Sequence, residues 1–331
     1  MSQNNAQDLA HRLTSARDTL MKELGRIVYG QEEVLRLLTI GLLCRGHVLL
    51  LGMPGVGKTL MAATLARALD LEFRRIQFTP DLMPADITGT DIIEEDPATH
   101  QRRHTFVPGP LFGNFILADE INRTTPKTQA ALLQAMQERE VSVGRSTYSL
   151  KPPFFVVATQ NPIESEGTYT LPEAQLDRFM FCLKVGYPSR AEECAIVKGT
   201  TGTVSDDIAK VLTREEILQL QETVRAVPVA DDVVDYTVRL VEASRSGTAG
   251  HELVQRYVSY GGSPRASQNI ILGAKARALL EGRFHVDFAD VQAMAAPVLR
   301  HRLILNYKAR AEQITTDNIT EALLKSVKTS A

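Results

Sequence analysis

Eight consecutive residues, Gly52-Met53-Pro54-Gly55-Val56-Gly57-Lys58-Thr59, carry the spacing GxxxxGK[ST] in full. Three glycines so spaced permit a tight turn and let backbone N–H groups face a phosphate chain. A helix that opens directly behind them adds the positive end of its dipole. Lys58 is then placed to reach β- and γ-phosphates, and Thr59 to set its hydroxyl on Mg2+. The expected nucleotide contacts here are Gly52, Pro54, Gly55, Val56, Gly57, Lys58, Thr59 and the next residue, Leu60.

A second chemical signal follows the apolar run Phe115 to Ala118, which ends in the acidic pair Asp119-Glu120. Behind a phosphate loop, the first acid is placed to hold Mg2+ beside Thr59, directly or through water. The second, Glu120, is placed to orient the attacking water or take its proton. Two solvated acids at a strand end are common by themselves. The full loop upstream points to ATP hydrolysis, with ATP and Mg2+ as cofactors.

These residues need strands and helices to hold them. Continuous apolar runs predict five strands, at His47 to Leu51, Phe73 to Phe78, Phe115 to Ala118, Phe154 to Ala158 and Phe179 to Leu183. Such runs between helical segments suit parallel strands covered on both faces. The segment Lys58 to Ala68 is rich in helix formers, and Thr125-Pro126 reads as an N-cap followed by Pro at the first helical position. After about Pro188 strand signals stop. Ser189-Arg190-Ala191-Glu192 and Thr213-Arg214-Glu215-Glu216 are capping boxes, and Asp287 to Arg300 and Thr316 to Val327 read as helices. The expected fold is therefore α/β, a doubly wound parallel sheet, followed by an all-α lid. The expected division is 1–187 for the ATPase core and 188–331 for the lid.

Composition excludes several classes. The chain has 331 residues, 44% hydrophobic and 23% charged, enough apolar material to need no metal or disulfide staple. A formal charge of −2 gives no nucleic-acid footprint. Cys44, Cys182 and Cys194 stand at unrelated spacings and read as reduced core thiols rather than a zinc site. Met1 to Asp8 lacks a signal-peptide pattern, and no apolar run approaches the roughly 20 residues of a membrane span, so a cytoplasmic location is expected.

Beyond these local signals the chain resembles the MoxR family of AAA+ ATPases. The resemblance runs from about Val28 to the end. It rests on Val28 to Gln31, Gly52 to Thr59, Leu117 to Arg123, Ala158 to Pro162, Leu171 to Phe179, Ser263 to Ala266 and Val298 to Arg302. It implies that Asn161 is the sensor-1 amide, which holds the attacking water or touches the γ-phosphate. An Asn-Pro pair alone is a common turn start. The resemblance also implies that Arg178 is an arginine finger serving a neighbouring subunit's nucleotide. The competing reading for Arg178 is a surface pair with Asp177 or Glu173. Arg265 matches sensor 2, acting in cis or in trans. A cation at that helix start opposes the dipole, a small cost that an anion offsets. Arg123 is a further candidate for a neighbouring site. Val28, Tyr29 and Gly30 match the segment beside the adenine.

Two embellishments are implied as well, a helix-2-type insert at about 80–110 and a pre-sensor hairpin at about 140–153 around Gly144-Arg145. Elements of this kind line the channel of a ring in relatives. The resemblance further implies a homo-oligomer, a hexameric ring being the expectation. It implies chaperone-like remodelling of protein substrates, and a partner bearing a von Willebrand factor A domain. Other readings from different classes are a nucleic-acid or metal-chelatase motor subunit, and a nucleotide-gated binding module with little turnover.

Overall fold

The computed structural model describes residues 3–95, 102–162, 168–202, 207–247 and 251–329. Its centre is a five-stranded sheet of β1 (Val48–Gly52), β2 (Phe73–Gln77), β3 (Phe115–Asp119), β4 (Phe155–Gln160) and β5 (Phe181–Val185). The strands run in the order β2-β3-β4-β1-β5, and each neighbouring pair is parallel. All five expected strands are present, with ends displaced by no more than two residues.

The alternation of side chains shows why the sheet is wound on both faces. Val48, Leu50, Leu117, Phe155, Val157 and Phe181 enter one apolar cluster, and Leu49, Ile116, Ala118, Val156 and Cys182 enter another. Each central strand thus buries both of its faces, which a continuous apolar run requires. The edge strand β2 differs. Ile76 is buried, while Arg74, Arg75 and Gln77 remain exposed.

The helix Lys58–Ala68 follows β1, and Pro126–Glu138 follows β3. Thr125 takes the N-cap position of the latter, although its side chain makes no capping bond. Beyond the sheet, the helices Arg190–Thr200 and Arg214–Ala226 open with the expected capping boxes. Ser189 accepts from the Glu192 N–H, and Thr213 from the Glu216 N–H. Pro264–Leu280, Phe288–Leu299 and Thr316–Ser326 complete the larger helices there.

Two expectations need correction. The C-terminal part is not purely helical, because Val258–Tyr260 pairs antiparallel with Ile304–Leu305. Strands of three and two residues are too short to show a period in sequence. Of the cysteines, Cys44 and Cys182 are buried but Cys194 is exposed. Burial pushes the Cys182 thiol up to about 12.

A helix at Gln3–Gly25 precedes the sheet, with Leu20 and Leu24 buried and Arg17 donating to the Leu280 carbonyl at 3.0 Å. Met1 lies outside the described residues. One apolar cluster runs from Leu20 through a sheet face to Leu323, so the sheet and the C-terminal helices share a core. Between β2 and β3 lie a short helix, Pro84–Thr88, and an antiparallel pair, Gly89–Glu95 with Arg102–Pro108. Residues 96–101, including Gln101 of the expected insert, are outside the described residues. A second pair, Glu140–Val143 with Ser146–Ser149, turns at Gly144-Arg145. Phe106 of the first pair stacks on Tyr148 of the second at 3.9 Å between ring centres.

Candidate functional site

At the C-terminal end of β1 the chain turns through Gly52 to Gly57 and enters the helix Lys58–Ala68. The three glycines serve two different needs. Gly55 and Gly57 have φ of +81° and +84°, a region other residues enter only with strain. Gly52 is needed for close approach, since a Cβ there would stand 2.6 Å from the Val185 carbonyl oxygen of β5. Lys58 is buried, and its Nζ donates to the carbonyls of Gly52 and of Met53, the latter at 3.2 Å. Pro54 is exposed on the loop.

Asp119 and Glu120 stand beside this loop because β3 lies one strand away from β1, across β4. Thr59 Oγ1 donates to Asp119 Oδ2 at 3.3 Å. Thr159, near the end of β4, donates its hydroxyl to Asp119 Oδ1 at 2.7 Å and accepts the Glu120 N–H at 2.8 Å. Glu120 is held in the left-handed region at φ 57°, a conformation that costs a non-glycine residue of order 1 kcal/mol or more. Its Oε2 accepts from Gln77 at 3.0 Å and from Arg123 at 2.8 Å. Its Oε1 has no hydrogen-bond partner among the described residues. Arg123 thus meets its own subunit's Glu120. Asn161 is buried one residue past β4, beyond the Leu51–Gln160 pair and therefore level with Gly52.

Sequence reading missed several neighbours of the acidic pair. Arg75 donates to Asp119 Oδ2 through Nε at 3.1 Å and Nη2 at 2.7 Å, and also to Gln77 Oε1 at 2.6 Å. Arg75 and Gln77 are two apart on an edge strand, so period-2 alternation was their only signal. Thr159 lay inside a matched stretch but carried no assigned role.

A cleft of about 190 Å3 opens beside the loop. Val28, Tyr29, Gly55, Val56, Gly57 and Leu60 line it, as do Ile27, Gln31, Met61, Pro188, Ile196 and Thr200. Gly30 does not line it. Its φ is +71°, and a Cβ there would collide with the Glu192 carboxylate. The cleft therefore lies between the loop, the segment before the helix Glu32–Leu43, and the helix Arg190–Thr200.

Arg178 is half-buried, and its side chain has no hydrogen-bond or ion-pair partner among the described residues. Its neighbour Asp177 is already taken, by Arg302 Nε at 2.7 Å and by Arg265 Nη1 at 2.9 Å. Arg265 therefore reaches the residue that precedes Arg178 and is absent from the lining of the cleft.

Residues 47–181 match the ATPase family associated with various cellular activities (AAA), and residues 251–323 match the AAA lid domain. The chain is 46% identical to chaperone MoxR1 of Mycobacterium tuberculosis over 308 residues, 92% of this chain and 80% of that one. It belongs to the MoxR family of AAA+ ATPases. It is also 42% identical to the uncharacterized protein YeaC of Bacillus subtilis, over 93% of both chains. A crystal structure of a proposed ATPase from Cytophaga hutchinsonii superposes with a TM-score of 0.91 at 39% identity, covering 99% of each chain. The chain is thus an ATP-hydrolysing enzyme with the AAA+ fold and its helical lid.

Within this MoxR-type chain, the stretch Val298 to Arg302 has a visible structural task. Arg302 is buried and donates all five of its N–H groups, to Asp177 Oδ1 and to the carbonyls of Asp177, Phe179, Met180 and Val298. His301 Nε2 meets the Phe179 carbonyl at 3.0 Å, and Arg300 Nη1 donates to the Cys182 carbonyl. The end of the helix Phe288–Leu299 is thereby fastened to the entry of β5, next to Arg178.

Proposed function

We propose that this MoxR-type ATPase is a Mg2+-dependent, ring-forming remodelling machine whose hydrolytic site is completed by a neighbouring subunit. The working division is a core of residues 1–187 and a lid of residues 188–331. Arg178 carries the proposal. A half-buried guanidinium with no partner among the described residues, whose adjacent carboxylate is held by two other arginines, is available to an anion from outside its own subunit. Arg265 leaves from the same point, which supports a role in trans for it as well.

In this reading Gly52, Pro54, Gly55, Val56, Gly57, Lys58, Thr59 and Leu60 hold the phosphates and the nucleotide. Val28, Tyr29 and Gly30 flank the base. The Thr59 hydroxyl and the Asp119 carboxylate, 3.3 Å apart, form an all-oxygen pair suited to a hard cation that takes its other ligands from phosphate and water. Bound there, Mg2+ would neutralise charge on the phosphates. Glu120 Oε1 is the atom placed to take the proton of water, while Thr159 fixes the Glu120 backbone. Asn161 orients that water or the γ-phosphate, and Arg178 of the neighbouring subunit faces the charge that develops on the transferred group.

Three inferences rest on relatives. MoxR1 is named a chaperone, which supports action on protein substrates. A hexamer, and a partner with a von Willebrand factor A domain, are proposed on family resemblance. Cytoplasmic location is proposed too; among the described residues no helix is long and apolar enough to cross a membrane.

ATPase rate against protein concentration tests the shared site. Turnover is expected to rise with assembly. Glu120→Gln should lose about 10²- to 10⁴-fold and Arg178→Ala about 10³-fold or more. A mixture of the two variants should recover activity, because some interfaces then pair an intact Glu120 with an intact Arg178. Concentration-independent turnover that Arg178→Ala leaves untouched would sink the shared site.

A further inference from the structure

At the opposite end of the sheet, a cleft of about 440 Å3 lies where β4 begins. That volume falls within the range of small-molecule sites. Phe154 immediately precedes β4 and Asn161 follows it, so the cleft stands roughly 20 Å from the nucleotide end along that strand. Leu150, Pro153, Phe154 and Leu218 form an apolar wall, and Arg45 and Arg139 stand at its polar side. The helix Arg214–Ala226 closes it against the core, with Arg214 Nε bonded to the Pro152 carbonyl at 2.7 Å.

The charges here are unbalanced. Arg45 meets Gln221 and Glu222, the one carboxylate lining the cleft. The side chain of Arg139, an exposed residue, has no hydrogen-bond or ion-pair partner among the described residues. Desolvation lowers its pKa, and the nearby charges of Arg45 and Arg225 lower it further. Lys275, also depressed by burial and by Arg225, donates among the described residues to the Arg225 carbonyl alone, at 3.1 Å. Helix ends explain part of this cation excess. Arg139 caps Pro126–Glu138, Arg45 follows Glu32–Leu43, and Arg225 is in the last turn of Arg214–Ala226. Each end offers about half a negative charge at most and Glu222 one full charge, together less than the four cations carry.

We propose that this cleft is a second ligand site, distinct from the nucleotide site, for a small amphipathic carboxylate. Its apolar body lies on Phe154 and Leu218, and its carboxylate meets Arg139 and Arg45. Planar guanidinium forks suit a carboxylate, and the apolar wall selects against a fully hydrated anion. Such a ligand bridges the helix Arg214–Ala226 and the segment that leads into β4. The same chemistry belongs to a free organic acid and to the C-terminus of a peptide ending in an apolar residue.

The test uses the full chain with saturating ADP and Mg2+, so that the nucleotide site is filled. The probe is 8-anilinonaphthalene-1-sulfonate, an amphipathic anion read by fluorescence. Competitors are 4-phenylbutyrate, acetyl-Ala-Phe with a free carboxylate, and its amide. One-to-one probe binding is expected, displaced by at least one free acid and not by the amide. Whether the simple acid or only the peptide acid displaces it identifies the source. Arg139→Gln should weaken binding about tenfold, the loss of one charge-assisted contact, and Arg139→Glu should abolish it. Leu218→Ser tests the apolar wall independently and should also weaken binding. Both positions lie outside the fully buried core, and melting curves verify folding. No ADP-insensitive probe binding, equal displacement by acid and amide, or binding unchanged in Arg139→Glu overturns the site.

Discussion

Two arginine–aspartate pairs in this molecule have the same contact distance, 2.7 Å, and opposite burial. In Arg302–Asp177 the arginine side chain is 2% exposed and the carboxylate 26%. In Arg75–Asp119 the arginine is 49% exposed and the carboxylate 9%. Arg302 spends every N–H on acceptors, four of them backbone carbonyls at the entry to β5 and the end of its own helix. Arg75 can return its charge to water, and Asp119 would still keep the hydroxyls of Thr59 and Thr159. Burial of the cation, rather than distance, separates a fastener from an exchangeable contact. The fastener joins lid and core beside Arg178. The exchangeable contact sits on the acid that we propose meets a metal.

The sharpest way to break this contrast is to remove the fastener. Arg302→Ala should cost about 3–5 kcal/mol, because it leaves several buried carbonyls without their donor and takes from Asp177 one of its two arginines. Arg302→Lys should recover only a minor part, since an ammonium lacks the planar fork. Urea unfolding of the intact chain measures both. A loss below about 1 kcal/mol for Arg302→Ala would show that the shared apolar core, not the polar clamp, holds lid to sheet.

A buried neutral group gives the next test of burial as the deciding factor. His47, at the start of β1, is buried, with Nδ1 accepting the Val156 N–H at 3.0 Å and Nε2 meeting the Met136 carbonyl at 3.1 Å. That pairing requires the neutral ring with its proton on Nε2. Burial pushes its pKa down to about 4. The folded value lies below the unfolded one, so the unfolded chain takes up the proton first as pH falls. The contribution is present above about pH 6.5 and is lost toward pH 4. Between pH 7 and pH 5 it amounts to roughly 2 kcal/mol. His301, half-buried and also lowered chiefly by desolvation, acts in the same direction. His47→Asn should be less stable at pH 7 and show a shallower loss on acidification. An unchanged pH slope in the variant would remove His47 from the account.

What could be read in the sequence follows the same division. Five strands were legible because each central one buries both faces and so reads as an apolar run. The turn at Gly55 and Gly57, the helix start at Lys58 and the strand end at Asp119 were legible because turn chemistry and strand ends are local. The residues that tie the site together were not. Arg75, Thr159 and Arg302 meet partners that are distant in sequence, and only the sheet order brings Arg75 and Thr159 to either side of Asp119. The far side of the cleft, at Pro188, Ile196 and Thr200, was hidden for the same reason. The short strands Val258–Tyr260 and Ile304–Leu305 carried no period to read.

The smallest effect on stability, and the closest discrimination, comes from Arg75. Arg75→Gln removes a cation that is half in water, so the cost should stay below about 1 kcal/mol, against several for Arg302→Ala. Asp119 retains two hydroxyl donors, which keeps its buried carboxylate satisfied. Equal midpoints for wild type and Arg75→Gln in urea would confirm that this pair is exchangeable. If stability instead falls as far as in Arg302→Ala, the burial argument fails at its own site. If stability holds while ATPase turnover drops tenfold or more, Arg75 acts on the acidic pair during turnover, and Gln77 becomes the next position to change because it receives one Arg75 N–H and donates to Glu120.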